Sequence, residues 1–152
     1  MKLAEALNER ADLQKKAEMI RSRLHANSKV QEGGKPNEDP VDLMKELSGI
    51  LTRLEYLIVH INRTNEVART ASGQTIAELI AHKDMLAKKI SILGTLLNGG
   101  NEITTRVTRT EIRIMPAFDV KAVQKQVDEL SRELRETDTK LQEQNWLTEL
   151  SE

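Results

Sequence analysis

Residues 43–61 read Leu43-Met44-Lys45-Glu46-Leu47-Ser48-Gly49-Ile50-Leu51-Thr52-Arg53-Leu54-Glu55-Tyr56-Leu57-Ile58-Val59-His60-Ile61. Leu43, Leu47, Ile50, Leu54, Leu57 and Ile61 recur at alternating steps of four and three, the spacing that lines one face of an α-helix. Leu51 and Ile58 fall beside that seam and widen it, so this helix is expected to face more than one neighbour. Pro40 follows Asp39, and Asp42 adds negative charge to the first turn. An Asp cap, a proline at the first helical position and an early carboxylate all favour a helix start at this point. The predicted helix runs from about 41 to 70 and is roughly 40 Å long at 1.5 Å per residue, which predicts an elongated bundle.

The same periodicity extends in both directions. Leu3, Ala6, Leu13, Ala17, Ile20 and Leu24 form a seam broken once, by Arg10, and predict a helix over about 2–30. Gly33-Gly34, Pro36 and Pro40 mark the following loop. A turn around Gly73 leads to Thr75, which with Glu78 has capping-box spacing. Ile76, Leu79, Leu86, Ile90, Leu93 and Leu97 then predict a helix over about 76–97, ended by Asn98-Gly99-Gly100-Asn101. Asp119 is placed to cap a last helix, about 120–144, with Val120, Val123, Val127, Leu130, Leu134 and Leu141 in its seam. Between these two helices, residues 102–115 are rich in Thr, Ile and Val, which favours a β-hairpin or an extended arm. The expected fold is a single mainly α domain over 1–152, an antiparallel bundle or coiled coil of about four helices.

Composition narrows the function. The 152 residues carry 23 Lys and Arg against 24 Asp and Glu, a net charge of -1, so no basic excess draws the chain to nucleic acid. Cysteine is absent, which removes disulfides and thiol nucleophiles. Aromatic residues make up only 2%, so aliphatic layers must supply the core, within the chain or shared between copies. Apolar runs are too short to span a bilayer, charges interrupt the first ten residues, and a cytoplasmic location is expected.

Few residues suggest chemistry. Glu78 and His82 are one turn apart but lack a second copy to complete a metal site, so no metal and no cofactor are expected. The glycine pairs lack the strand-before, helix-after setting of a phosphate loop. No catalytic group stands out, and an enzyme is not expected. The run His60-Ile61-Asn62-Arg63-Thr64-Asn65 is unusual because it continues an apolar helix. It reads either as a polar layer that fixes helix register or subunit pairing, or as a small-ligand or anion site. The candidate ligand residues are His60, Asn62, Arg63 and Asn65, with Arg109 and Glu111 from the extended segment. Trp146 reads as a binding anchor or as a plug docking the C-terminal tail.

Several stretches together resemble a known family. They are Met1-Lys2-Leu3-Ala4-Glu5-Ala6-Leu7 with Arg10-Ala11-Asp12-Leu13-Gln14-Lys15, Val30-Gln31-Glu32-Gly33, Glu38-Asp39-Pro40, Ile61-Asn62-Arg63-Thr64-Asn65, Arg109-Thr110-Glu111-Ile112, Gln124-Lys125-Gln126-Val127-Asp128 and Asn145-Trp146. Nearly end to end, the chain resembles the septicolysin-like family of small bacterial proteins, a domain family of unknown function. The resemblance implies a mainly helical, oligomeric protein and supplies no catalytic residue. The family label also implies a lytic, membrane-active protein. The expectation is therefore a self-associating scaffold or protein-binding module, a homo-oligomer whose further protein partner is unknown. The alternatives are a membrane-active protein, or a protein that binds a small ligand through Asn62, Arg63 and Asn65.

Overall fold

The computed structural model describes residues 1–101 and 114–151, and holds four helices: α1 (Leu3–Ala26), α2 (Pro40–Val67), α3 (Ile76–Asn101) and α4 (Val120–Leu147). The architecture is a mainly α, bundle-like set of helices, with no sheet among the described residues. The expected hairpin or arm at 102–115 falls almost wholly outside them. The chain forms two compact units, Met1–Ala77 with Gln142–Glu152, and Glu78–Leu141.

In the first unit, α1 and α2 pack along the predicted seams. Leu3, Ala6 and Ile20 of α1 are buried, as are Leu43, Leu57 and Ile61 of α2. Each large aliphatic side chain removed from water in this way contributes about 1.5–3 kcal/mol. Ion pairs set the antiparallel register. Glu9 accepts from Arg53 Nε and Nη2 at 2.7 and 2.8 Å. Near the other end, Arg23 pairs with Glu38 in the loop and with Glu46 of α2.

Helix α1 ends at Ala26 rather than near residue 30, because Asn27 captures the chain. Its Nδ2 donates to the Arg23 carbonyl at 2.8 Å, and its Oδ1 accepts from the Glu38 amide at 3.0 Å. The loop therefore folds back and cannot extend the helix. As predicted, Asp39 caps α2: its Oδ1 accepts from the Val41 amide at 2.9 Å, with Pro40 in the first turn. After α2, Gly73 adopts φ 86° and closes a tight turn, and its amide donates to the Thr70 carbonyl at 2.9 Å. The C-terminal residues return to this unit. Leu3 N donates to Thr148 O, and Leu150 N donates to Met1 O, both at 2.9 Å.

In the second unit, Leu79, Leu86 and Leu97 of α3 are buried, with Thr137 and Leu141 of α4. His82 and Lys83 reach Glu133 and Asp138 across the two helices, at 2.9 and 2.5 Å. Asp119 caps α4, its Oδ1 accepting from Ala122 N at 3.1 Å. Helix α3 does not stop before Gly99-Gly100 but runs through both glycines. The reason is a close approach: a Cβ at Gly100 would lie 2.7 Å from the Phe118 ring. Glycine is needed there to admit the ring, not to end the helix. Helix α4 likewise continues to Leu147, past the predicted end near 144.

Candidate functional site

The polar run on α2 splits by helix face. His60 and Thr64, four residues apart, point to the C-terminal tail. Thr64 is buried at 1% exposure, because it continues the Leu57–Ile61 seam spacing. Its hydroxyl proton goes to the His60 carbonyl at 2.7 Å, which leaves lone pairs for Ser151. Ser151 N donates to Thr64 Oγ1 at 2.9 Å, and the Ser151 hydroxyl lies 3.0 Å from the same oxygen. His60 Nδ1 is 2.7 Å from the Ser151 carbonyl. A carbonyl only accepts, so Nδ1 carries the proton in this contact.

His60 also stacks on Tyr56, with centroids 4.0 Å apart, and Arg53 lies 5.1 Å from the Tyr56 ring centre. Arg53, Tyr56, His60 and Thr64 thus form one continuous edge of α2, from the ion pair with Glu9 to the tail. The guanidinium of Arg53 holds the Glu9 carboxyl below its ordinary range, chiefly through their hydrogen bonds.

Asn62 and Arg63 are exposed, and Asn65 is partly exposed. None of the three shares the His60–Thr64 cluster, and none has a hydrogen-bond partner among the described residues. Arg109 and Glu111 lie outside the described residues. Of the six candidate ligand residues, the structure thus ties only His60 into a network. Sequence reasoning missed its partners Thr64 and Ser151. Thr64 was visible as a polar residue in seam register, whereas the tail contact joins residues 87 apart in the chain.

Trp146 is 56% exposed, so it is not a plug. The buried residue beside it is Asn145, and backbone hydrogen bonds near Met1 dock the tail instead. His82, set beside Glu78 in the sequence as an incomplete metal pair, lies with its Nε2 2.9 Å from Oε1 of Glu133. Among the described residues, no group of three acidic or histidine side chains is placed to hold a metal ion. Arg10, the break in the α1 seam, has its Nε buried without a partner.

A second face of α2 is open. Met44, Leu51 and Ile58, spaced by seven residues, are 51%, 48% and 39% exposed. With Leu47 and Leu54 they complete a three-and-four apolar pattern beside the one that meets α1. A groove of about 550 Å³ between α1 and α2 borders this face at Leu51, lined by Ala17 and Leu24 of α1 and by Leu47, Leu51 and Leu54 of α2. Gln14, Glu18 and Arg21 form its polar rim. The groove is aliphatic and lacks the convergent polar groups that orient a small substrate.

A family model of unknown function, DUF6847, matches residues 10–150. The chain belongs to this family. A crystal structure of a functionally unknown conserved protein from Corynebacterium diphtheriae is similar throughout: 34% identity, TM-score 0.91, and 99% of each chain covered. No curated protein matches. The resemblance to a septicolysin-like family is thereby corrected, since the matching family and the similar structure both lie elsewhere. Short shared stretches of helical sequence, such as amphipathic heptads, are poor discriminators between helical families.

Proposed function

We propose that the chain is a self-associating helical scaffold or protein-binding module. The observation that carries this reading is the second apolar face of α2, with Met44, Leu51 and Ile58 exposed at heptad spacing. Exposed leucines scattered singly are ordinary, but an aligned heptad stripe is the seam a partner helix covers. The scarcity of aromatic residues supports the same reading, since large rings do not close the core from within. The groove offers apolar contact and little catalytic chemistry. Native mass spectrometry of the purified chain tests it. A discrete oligomer is expected, and a monomer throughout the micromolar range sinks the reading.

A second reading, binding of a small ligand or anion, is favoured by one observation. Asn62 and Arg63 stand exposed, and neither side chain has a hydrogen-bond partner among the described residues. In that case the same mass spectra carry a stoichiometric adduct that is lost in Asn62→Ala with Arg63→Ala. The membrane-active alternative loses the resemblance that motivated it. Among the described residues, no helix is long and apolar enough to cross a membrane.

A further inference from the structure

The seams of α1 and α3 are one pattern displaced. Leu3, Ala6, Leu13, Ala17, Ile20 and Leu24 each have an aliphatic counterpart 73 residues on, at Ile76, Leu79, Leu86, Ile90, Leu93 and Leu97. The break recurs as well, with Arg10 interrupting the first seam and Lys83 the second. Helices α2 and α4 correspond at a displacement of 80 and are both 28 residues long. Each follows a capping Asp, Asp39 or Asp119. We propose that the chain is one helical hairpin duplicated, over residues 1–70 and 74–150. The contact that holds its two ends together is then the α2–α3 turn with the covalent link left out.

Helical period alone would align many pairs of seams. The joints are a stricter match, because most of their bonds lie outside the helices. After α2, Ala68 N donates to Thr64 O at 2.9 Å, Ile76 N to Ala68 O at 3.2 Å and Thr70 N to Gln74 O at 2.8 Å. After α4, Thr148 N donates to Gln144 O, Leu3 N to Thr148 O and Leu150 N to Met1 O, each at 2.9 Å. Every donor and acceptor of the second set is the counterpart of one in the first, by the same two displacements. An isolated antiparallel bridge sits in each joint, Arg69 with Thr75 and Lys2 with Glu149. Between Thr70 and Gln74 the backbone runs through Ala71, Ser72 and Gly73. At the chain ends charge stands in for that link: Glu149 takes Lys2 Nζ at 2.6 Å and the Met1 amino group at 3.3 Å.

Duplication also accounts for the buried Nε of Arg10. A buried donor ordinarily finds an acceptor. The counterpart cation, Lys83, reaches Asp138, but Ile58 stands where the first hairpin would need that carboxylate. The neighbouring pair survives with acid and base exchanged, Glu9 with Arg53 in the first hairpin and His82 with Glu133 in the second. The outward stripe is not shared. Gln124, Ser131 and Asp138 take the places of Met44, Leu51 and Ile58, so the hairpin does not require an apolar face there.

A permuted chain of the same length tests the equivalence of the joints. It runs from residue 74 to 152, through one glycine, then from 1 to 72, so that Gly73 moves from the central turn to the chain ends. Three residues then lead from Leu150 to Met1, and two follow Thr70, each joint holding what the other held. Glycine is chosen because Gly73 adopts φ 86°. Gln74→Met supplies the start. The permuted chain is expected to keep its helix content by circular dichroism and to melt within about 5 °C of the unaltered one. Close termini often tolerate permutation, so the glycine is the discriminating element. Without it, two residues must span a gap built for three, and the midpoint is expected to fall. In the unaltered chain, the Leu3 and Leu150 amides are expected to exchange as slowly as those of Ile76 and Thr70, within about ten-fold. A permuted chain that does not fold, or whose midpoint is indifferent to the glycine, overturns the equivalence. So does a Leu150 amide that exchanges freely while that of Thr70 is protected.

Discussion

Thr64→Val is an isosteric change at a site 1% exposed, and it tests whether the polar run on α2 is there to fix the tail. Valine keeps the volume and the β-branch, so no cavity forms. What is lost is one donated hydrogen bond, to the His60 carbonyl, and two accepted from Ser151. The His60 carbonyl keeps its place in the helical ladder, and the Ser151 groups are close enough to solvent to find water. A net hydrogen bond is worth about 0.5–1.5 kcal/mol, so losing the two tail contacts costs about 1–3 kcal/mol. For a chain of this size that lowers the midpoint of thermal unfolding by roughly 3–10 °C. Two assays apply. Circular dichroism melts give the midpoint, and amide exchange by NMR gives local protection. The Ser151 amide, which donates to Thr64, is expected to lose protection, while amides in the middle of α2 keep theirs. An unchanged midpoint together with an unchanged Ser151 amide would refute the assignment of Thr64 as the tail anchor.

Arg10→Leu is expected to stabilise the chain by about 1–3 kcal/mol, because it completes the α1 seam and removes a buried Nε with no acceptor; denaturant titration reads the change. Gly100→Val is expected to destabilise by about 1–3 kcal/mol, since its side chain would collide with the Phe118 ring, whereas Gly99→Ala, with open space around it, is expected to be neutral or mildly stabilising in the same melts. Acid is expected to loosen the first unit. Glu9, Glu38 and Glu149 are each held below the ordinary 4.5, by Arg53, by Arg23 and by Lys2 with the Met1 amino group respectively. Their stabilisation is full above 4.5 and is lost as pH falls through the lowered folded values. Midpoints recorded on falling pH therefore drop in that acid window, and drop less steeply in Glu9→Gln.

Much of this fold was readable because helix burial follows sequence period. The seam residues on α1 and α2 that periodicity selects include Leu3, Ala6, Ile20, Leu43, Leu57 and Ile61, all of them buried. Asp39 and Asp119 cap where local chemistry places them, since an Asx cap needs only the next two or three residues. The misreadings share a different cause, a partner far away in sequence. Asn27 ends α1 early because Glu38 completes its hydrogen bonds. Gly100 sits inside α3 because Phe118 rests on it, and a glycine pair alone cannot announce that ring. Ser151 becomes part of the polar run only when the tail folds back onto α2. Trp146, whose reading as a plug for the tail fails, stands exposed because α4 continues past it and Asn145 takes the inward position.

The open face of α2 was partly visible. Leu51 and Ile58 widen the seam in the sequence, yet periodicity does not tell which of two stripes α1 occupies. The ion pairs Glu9–Arg53 and Arg23–Glu46 decide it, turning the 43–47–50–54 stripe toward α1 and leaving Met44, Leu51 and Ile58 outward.

Sedimentation equilibrium of the unmodified chain beside Leu51→Glu puts self-association through this face to its most direct test. The substitution sets a carboxylate at the centre of an outward stripe, where a lone chain tolerates it and a paired one does not. A dimer that becomes a folded monomer on substitution is the predicted result. A wild-type chain that sediments as a monomer, or a Leu51→Glu chain that associates as tightly as the wild type, would contradict it.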